Sequence, residues 1–266
     1  MQHGMGGYAL GYLTDTMCDL HMGCDPMVKA LALKGFDVYM ANNSGVKYSQ
    51  THDVLTIDDP EFWDIDMYTK GVYDFPALVT EIQRRTGVKK VAMFGHSEGT
   101  SQLYAGMGSI PEWYDENVSI GLLWGPCTTP TETYLKEVYT EDNWNFLIEN
   151  DIYVLGGPNW YTRDKQLFLD SGIQTLIDAI PAAEGLPNNP IKSVASFSQK
   201  AFSKRFQEYY EGDWFAYVRE HGDTPKTPLM DFGLAQKTNV GLYIGLWDNT
   251  CPLPVAMEQR QQLGEN

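Results

Sequence analysis

Five residues of this chain have the types and spacing that chemistry requires. Gly95-His96-Ser97-Glu98-Gly99 reads G-x-S-x-G, the pattern of a serine set on a sharp strand-to-helix turn with its hydroxyl projecting. The glycines two before and two after remove side chains that would strike the neighbouring strand and helix. Ser97 is the candidate nucleophile. With glycine and serine each near 7% of residues, about 0.1 accidental matches are expected in a chain this long. Context supports this one, since an apolar run, Val91-Ala92-Met93-Phe94, precedes it and a helix-competent segment follows. The N-terminus of that helix also favours developing negative charge.

A second element is His3-Gly4-Met5-Gly6-Gly7. A His-Gly turn followed by small residues suits the first half of an oxyanion hole. The backbone N–H of Met5 would supply one donor and that of Glu98 the other, each worth about 3 kcal/mol of transition-state stabilisation. A third element is Asp248, in Trp247-Asp248-Asn249 after the apolar run Val240 to Leu246. An acid at the carboxyl end of a strand suits the orienting member of a triad, which fixes a histidine and stabilises its imidazolium.

These residues need elements to hold them. Asp25 to Lys34 predicts a short helix stopped by Gly35, and Phe36 to Met40 a strand. Met67 to Arg85 predicts a helix with Val72, Phe75, Leu78 and Ile82 on one face, ended by Thr86-Gly87. Lys90 to Phe94, Ser119 to Trp124 and Val240 to Leu246 read as buried strands, Gly99 to Met107 and Val255 to Leu263 as helices. This alternation predicts an α/β architecture, a mostly parallel sheet with helices on both faces. From about Thr129 to Lys237 the rhythm breaks into an aromatic and polar stretch that includes Trp144, Trp160, Phe168 and Trp214. It reads as a cap inserted into the sheet domain. The expected organisation is a first core part over 1–128, a cap over 129–237 and a second core part over 238–266.

The 266 residues are enough for one large domain, and 43% are hydrophobic. With 19 Lys+Arg against 35 Asp+Glu the net charge is -16, which repels phosphate backbones and argues against nucleic acid as a partner. The four cysteines, Cys18, Cys24, Cys127 and Cys251, show no C-x-x-C spacing, so no metal site is expected, and they could pair in three ways. Two short glycosylation patterns occur, Asn42-Asn43-Ser44 and Asn117-Val118-Ser119. The first residues show neither the basic nor the apolar region of a signal peptide.

The sequence resembles the acid lipases, the α/β-hydrolase family that includes gastric and lysosomal acid lipase. Beyond the serine motif the resemblance runs through Leu33-Lys34-Gly35-Phe36-Asp37-Val38, through Asn42-Asn43-Ser44-Gly45 to Tyr48-Ser49 and His52, and through Phe62-Trp63-Asp64. It continues in Tyr73-Asp74-Phe75-Pro76-Ala77 and returns at Gly245-Leu246-Trp247-Asp248. It implies an α/β-hydrolase fold and ester hydrolysis of neutral lipids, triacylglycerols or steryl esters, with no metal or organic cofactor. It implies transient contact with a lipid surface and a secreted or lysosomal location. Two departures stand out: Glu98 where the family has Gln, and Ser44 where it has Arg. A carboxylate beside a developing oxyanion opposes it unless it turns away or is protonated. On that ground Glu98 is expected to tilt activity toward acid pH.

A serine hydroxyl needs a general base. The chain has five histidines, His3, His21, His52, His96 and His221, and none follows Asp248. In this fold the triad runs Ser, then acid, then His, so the base is expected beyond Asn266. The chain also shows only Met1-Gln2 before His-Gly, where the family has further strands. A fragment incomplete at both ends, poorly stable and nearly inactive as written, is therefore expected. A soluble esterase or thioesterase on the same fold, or a non-catalytic lipid-binding protein, are the competing expectations.

Overall fold

The computed structural model describes residues 1–13, 27–131, 133–157, 159–178 and 188–264. Its centre is a parallel sheet of β1 (Val91–His96), β2 (Val118–Trp124) and β5 (Asn239–Tyr243), in the order β1-β2-β5. Phe94 lies opposite Leu122, and Leu122 opposite Gly241. Gln2 extends the sheet on the far side of β1: its N–H donates to Phe94 O at 2.7 Å and its carbonyl accepts from His96 N–H at 3.1 Å.

Alternation along the strands sends neighbouring residues to opposite faces. On one face Met93 and Leu123 join the main core with Val118, Phe75, Val79, Leu103 and Phe232. On the other, Phe94 packs with Tyr12 and Val28. Val28 belongs to α1 (Met27–Leu33), and a helix runs from Met67 through a π-helical turn, Lys70–Asp74, into α2 (Phe75–Thr86). Gly87 ends it at φ 74°, the left-handed cap glycine adopts without strain. The crossover from β1 to β2 is α3 (Glu98–Ser109) and α4 (Pro111–Asn117). Residues 98–107 of α3 are all buried, so this helix is enclosed on every side. Gly71 makes that possible, since a Cβ there would lie 2.5 Å from Gln102 O on α3.

Between β2 and β5 the chain forms α5 (Thr133–Val138), α6 (Glu141–Glu149), α7 (Lys165–Ser171), α8 (Gln174–Asp178), α9 (Ile191–Ser203) and α10 (Trp214–His221). A two-stranded antiparallel pair, β3 (Val154–Leu155) and β4 (Asn189–Pro190), lies among them. Trp160, Phe168, Leu147, Ile152 and Ile191 form a separate apolar cluster, and Tyr139, Ala195 and Trp214 another. The aromatics that marked this stretch therefore mostly build its own interior. Tyr161, largely exposed, is an exception. The chain then enters α11 (Leu253–Leu263) after β5.

One expected strand does not form. Residues 36–40 are extended but lie in no ladder, and Phe36 is exposed. The reason is pairing. Phe36 N–H donates back to Leu31 O at 3.2 Å, and sheet-like contact comes at the far end, where Met1 donates to Tyr39 O at 2.7 Å, Ala41 N–H donates to Met1 O at 3.0 Å, and Ala41 bridges Gln2. β-propensity alone does not make a strand without a neighbour. The last strand is also shorter than read, ending at Tyr243, and residues 246–247 turn.

Candidate active site

Ser97 sits on the turn between β1 and α3 at φ 52° and ψ -118°. An L-residue held there stores about 1–3 kcal/mol of backbone strain. Its surroundings impose it. Ser97 N–H donates to Trp124 O at the end of β2, 2.9 Å, and Ser97 O accepts from Thr100 N–H at 2.8 Å and Thr100 Oγ1 at 2.6 Å. The flanking glycines are required by contact. A Cβ at Gly95 would lie 2.8 Å from Gly99 O, and one at Gly99 would lie 2.6 Å from Gln2 O.

The turn at residues 3–7 lies directly against the serine. A Cβ built on Gly4 would come within 2.9 Å of Ser97 Cβ and 3.1 Å of His96 O. Gly7 N–H donates to Gly4 O at 3.0 Å and closes the turn. His3 holds it from within. Its Nε2 accepts the Asn43 N–H at 3.2 Å, which leaves Nδ1 protonated to donate to Gly4 O at 2.8 Å. Burial lowers the proton affinity of this imidazole. A cleft of about 240 Å³ opens here, lined by His3, Gly4, Met5, Tyr8, His96 and Ser97 among others. Met5 and Ser97 thus share one cavity.

Glu98 follows Ser97 and opens α3, but its carboxylate turns inward. It is buried, and Lys70 Nζ, itself buried, donates to its Oε1 at 2.6 Å. Lys70 also donates to Ser193 Oγ on α9 at 2.9 Å, and Ser193 donates to Ile65 O at 2.8 Å. The carboxylate therefore takes no part in lining the serine cleft. Ser44, the other departure, donates from its hydroxyl to Asp74 Oδ1 at 2.6 Å and from its N–H to Oδ2 at 2.8 Å. Burial raises the Asp74 proton affinity and these two bonds oppose it.

Asp248 lies on the turn after β5. Its Oδ1 accepts N–H bonds from Thr250 and Cys251, both 2.9 Å. Its Oδ2 faces Gly125, where a Cβ would lie 3.6 Å away. Gly125 follows Trp124, whose carbonyl receives the Ser97 N–H, so Ser97 and Asp248 flank the same end of β2. His96 is within electrostatic reach of Asp248: burial lowers its proton affinity and the carboxylate partly restores it. Leu246 and Trp247, just before the acid, are almost wholly exposed, Trp247 at 92%.

Two of the remaining histidines are engaged elsewhere. His52 Nδ1 accepts from Val54 and Leu55 N–H, and His221 stacks on Tyr217 in the stretch between β2 and β5. His21, with Cys18 and Cys24, lies outside the described residues. Among the described residues no imidazole hydrogen-bonds Ser97 or Asp248, and no group of three or more His, Cys, Asp and Glu side chains is placed to hold a metal. No helix among them is long and apolar enough to cross a membrane. Both sequon asparagines carry internal bonds: Asn42 Oδ1 accepts from Ala9 N–H at 2.7 Å, and Asn117 Nδ2 donates to Trp113 O at 2.8 Å.

Two features escaped sequence reasoning. The Lys70–Glu98 pair spans 28 residues and has no spacing signal. A disulfide joins Cys127 to Cys251, one of the pairings that composition left open.

The α/β hydrolase fold family matches residues 1–105, which contain the serine turn and the Gly4–Met5 turn. Mouse lipase member M is 33% identical over 112 residues, 42% of this chain and 25% of its own. Human lysosomal acid lipase/cholesteryl ester hydrolase is 30% identical over 136 residues, 49% of this chain and 32% of its own. Bovine gastric triacylglycerol lipase is 28% identical over 141 residues, 53% and 33% respectively. The chain thus matches between a quarter and a third of the length of these relatives. Fold and matches together give the chain an α/β-hydrolase fold. Within that class the chain is acid lipase-like.

Proposed function

We propose that this chain carries the nucleophile and the acid of a serine carboxylic-ester hydrolase acting on neutral lipids, such as triacylglycerols or steryl esters. The carrying observation is Ser97, held at positive φ with the Gly4–Met5 turn pressed against it. In this reading Ser97 Oγ attacks the ester carbonyl. The developing oxyanion is met by the N–H groups of Met5 and Glu98. Collapse expels the alcohol, which takes a proton, and leaves an acyl group on Ser97. Water then releases the fatty acid. Asp248 orients the imidazole that relays these protons, which follows the acid in the family order Ser, acid, His. The stretch over 129–237 shapes the acyl cleft as a cap.

A fluorophosphonate probe tests this. Labelling of Ser97 is expected, lost in Ser97→Ala and strongly reduced in Asp248→Asn. Comparing long-chain with short-chain esters separates a lipase from a soluble esterase or thioesterase. One observation favours a second reading: among the described residues no imidazole bonds Ser97 or Asp248. A protein that binds neutral lipid but resists the probe would be a non-catalytic lipid binder.

A further inference from the structure

The acid and the nucleophile are joined by a short run of bonds that passes through a single covalent bridge. Ser97 O accepts from Thr100 Oγ1 at 2.6 Å. Thr100 Oγ1 in turn accepts the Cys127 N–H at 2.9 Å. Cys127 is bonded to Cys251, and Cys251 N–H donates to Asp248 Oδ1 at 2.9 Å. Ser101 Oγ on α3 donates to Cys127 O, fixing the first cysteine from its other side. The two cysteines are 124 residues apart in sequence, with the whole stretch between β2 and β5 intervening. Both are buried.

The surroundings of Asp248 show why a bridge matters there. β5 has ended five residues earlier, and residues 246–250 are turn and bend. Leu246 and Trp247 have almost no packing. The turn is tied on its far side by Thr131, whose N–H donates to Thr250 O at 2.8 Å. A carboxylate on such a turn has little to fix it, whereas catalysis loses about a hundredfold when a group is misplaced by 1 Å.

We infer that the Cys127–Cys251 disulfide is a positioning strap that holds the Asp248 carboxylate in register with the Ser97 turn. This rests on the reading of Ser97 and Asp248 as nucleophile and acid, but the geometric claim is testable without any turnover. The strap acts through the Cys251 N–H, one of the two N–H groups that Asp248 Oδ1 accepts from, so the acid loses one fixed donor when the bridge is absent. The serine turn does not depend on it, because Ser97 N–H is held by Trp124 O of β2.

The test compares the wild-type chain with Cys127→Ala/Cys251→Ala by residue-resolved amide exchange and by hydrolysis of a p-nitrophenyl ester. Exchange at Thr250 and Cys251 is expected to rise about tenfold or more while exchange at Ser97 and along β2 stays unchanged. In turnover, kcat falls about tenfold at constant KM. Wild-type exchange at Thr250 and Cys251 in the variant overturns the inference, as does an unchanged kcat where the wild-type chain turns over ester. If neither form turns over ester yet the local exchange rises, the strap stands and the reactivity of Ser97 is decided separately by fluorophosphonate labelling. Should the double variant not fold, the folded wild type is treated with a dithiol. The dithiol gives up two electrons and two protons, becomes a cyclic disulfide and leaves two protein thiols, which iodoacetamide caps. The same exchange comparison then decides.

Discussion

Lys70 and Glu98 form an ion pair of 2.6 Å with both side chains buried, directly behind the serine turn. The pair also holds α9 through Ser193. Removing one member of such a pair leaves an uncompensated buried charge, whereas replacing both leaves no buried charge. Glu98→Gln alone is expected to destabilise by about 3–5 kcal/mol. Lys70→Met/Glu98→Gln is expected to recover most of that loss. Urea unfolding of the two singles and the double gives the coupling, and purely additive losses would contradict it. A pH–rate profile of the double tests whether Glu98 tilts activity toward acid.

Strain at Ser97 predicts an unusual order of stabilities. Glycine tolerates positive φ and alanine does not. Ser97→Gly is therefore expected to exceed Ser97→Ala in stability by about 1 kcal/mol, although both lack the hydroxyl. Thermal unfolding of the pair reads the difference, and equal midpoints would show a relaxed turn.

Acid should weaken the fold through its histidines. His3 and His96 both bind protons less well when folded than the ordinary 6.5, chiefly because they are buried. Below 6.5 the unfolded chain takes up protons that the folded chain refuses, so stability falls as pH drops. The slope is at most about 1.4 kcal/mol per pH unit for each histidine. Asp74, raised by burial, acts in the opposite sense just above 3.8. The histidine effect is therefore read between about pH 5.5 and 7.5. His96→Asn should flatten the slope, and an unaltered slope would remove His96 from the account.

Lys200 offers the mirror case at alkaline pH. It is fully buried on α9, donates to Ser196 Oγ at 2.7 Å, and burial pushes its pKa down from 10.5 to about 8. The unfolded chain holds this proton more tightly, so the ammonium destabilises the fold fully below 8 and progressively less up to 10.5. Lys200→Met is expected to stabilise by roughly 1–3 kcal/mol at neutral pH, with the gain shrinking between 8 and 10.5. A gain that is constant with pH would point to packing instead.

Local signals were readable where the chemistry is local. The apolar run before Gly95, the glycines at 95 and 99, and the His-Gly turn each carry their meaning within a few residues, and the structure brings Ser97, Gly4 and Met5 to one cleft. Asp248 follows the apolar run of β5 for the same local reason. Features set by distant partners were not readable. Residues 36–40 have strand-forming side chains, but pairing decides a strand, and pairing is non-local. Nothing near Lys70 in the sequence marks it as the partner of Glu98, 28 residues away. The cysteines could be counted but not connected. The aromatics of the stretch between β2 and β5 gave no sign of which would face inward, because an interior and a lipid cleft favour the same residues.

Seven tryptophans are distributed unevenly. Trp63, Trp160 and Trp214 are buried, while Trp247 stands in solvent one residue before Asp248. Exposure to this degree is expected to give it red-shifted emission and ready quenching by iodide, a built-in optical reporter of the acid turn. A ligand settling over that end of the sheet would shield this indole together with the part-exposed Trp124, and leave the enclosed ones dark to the change.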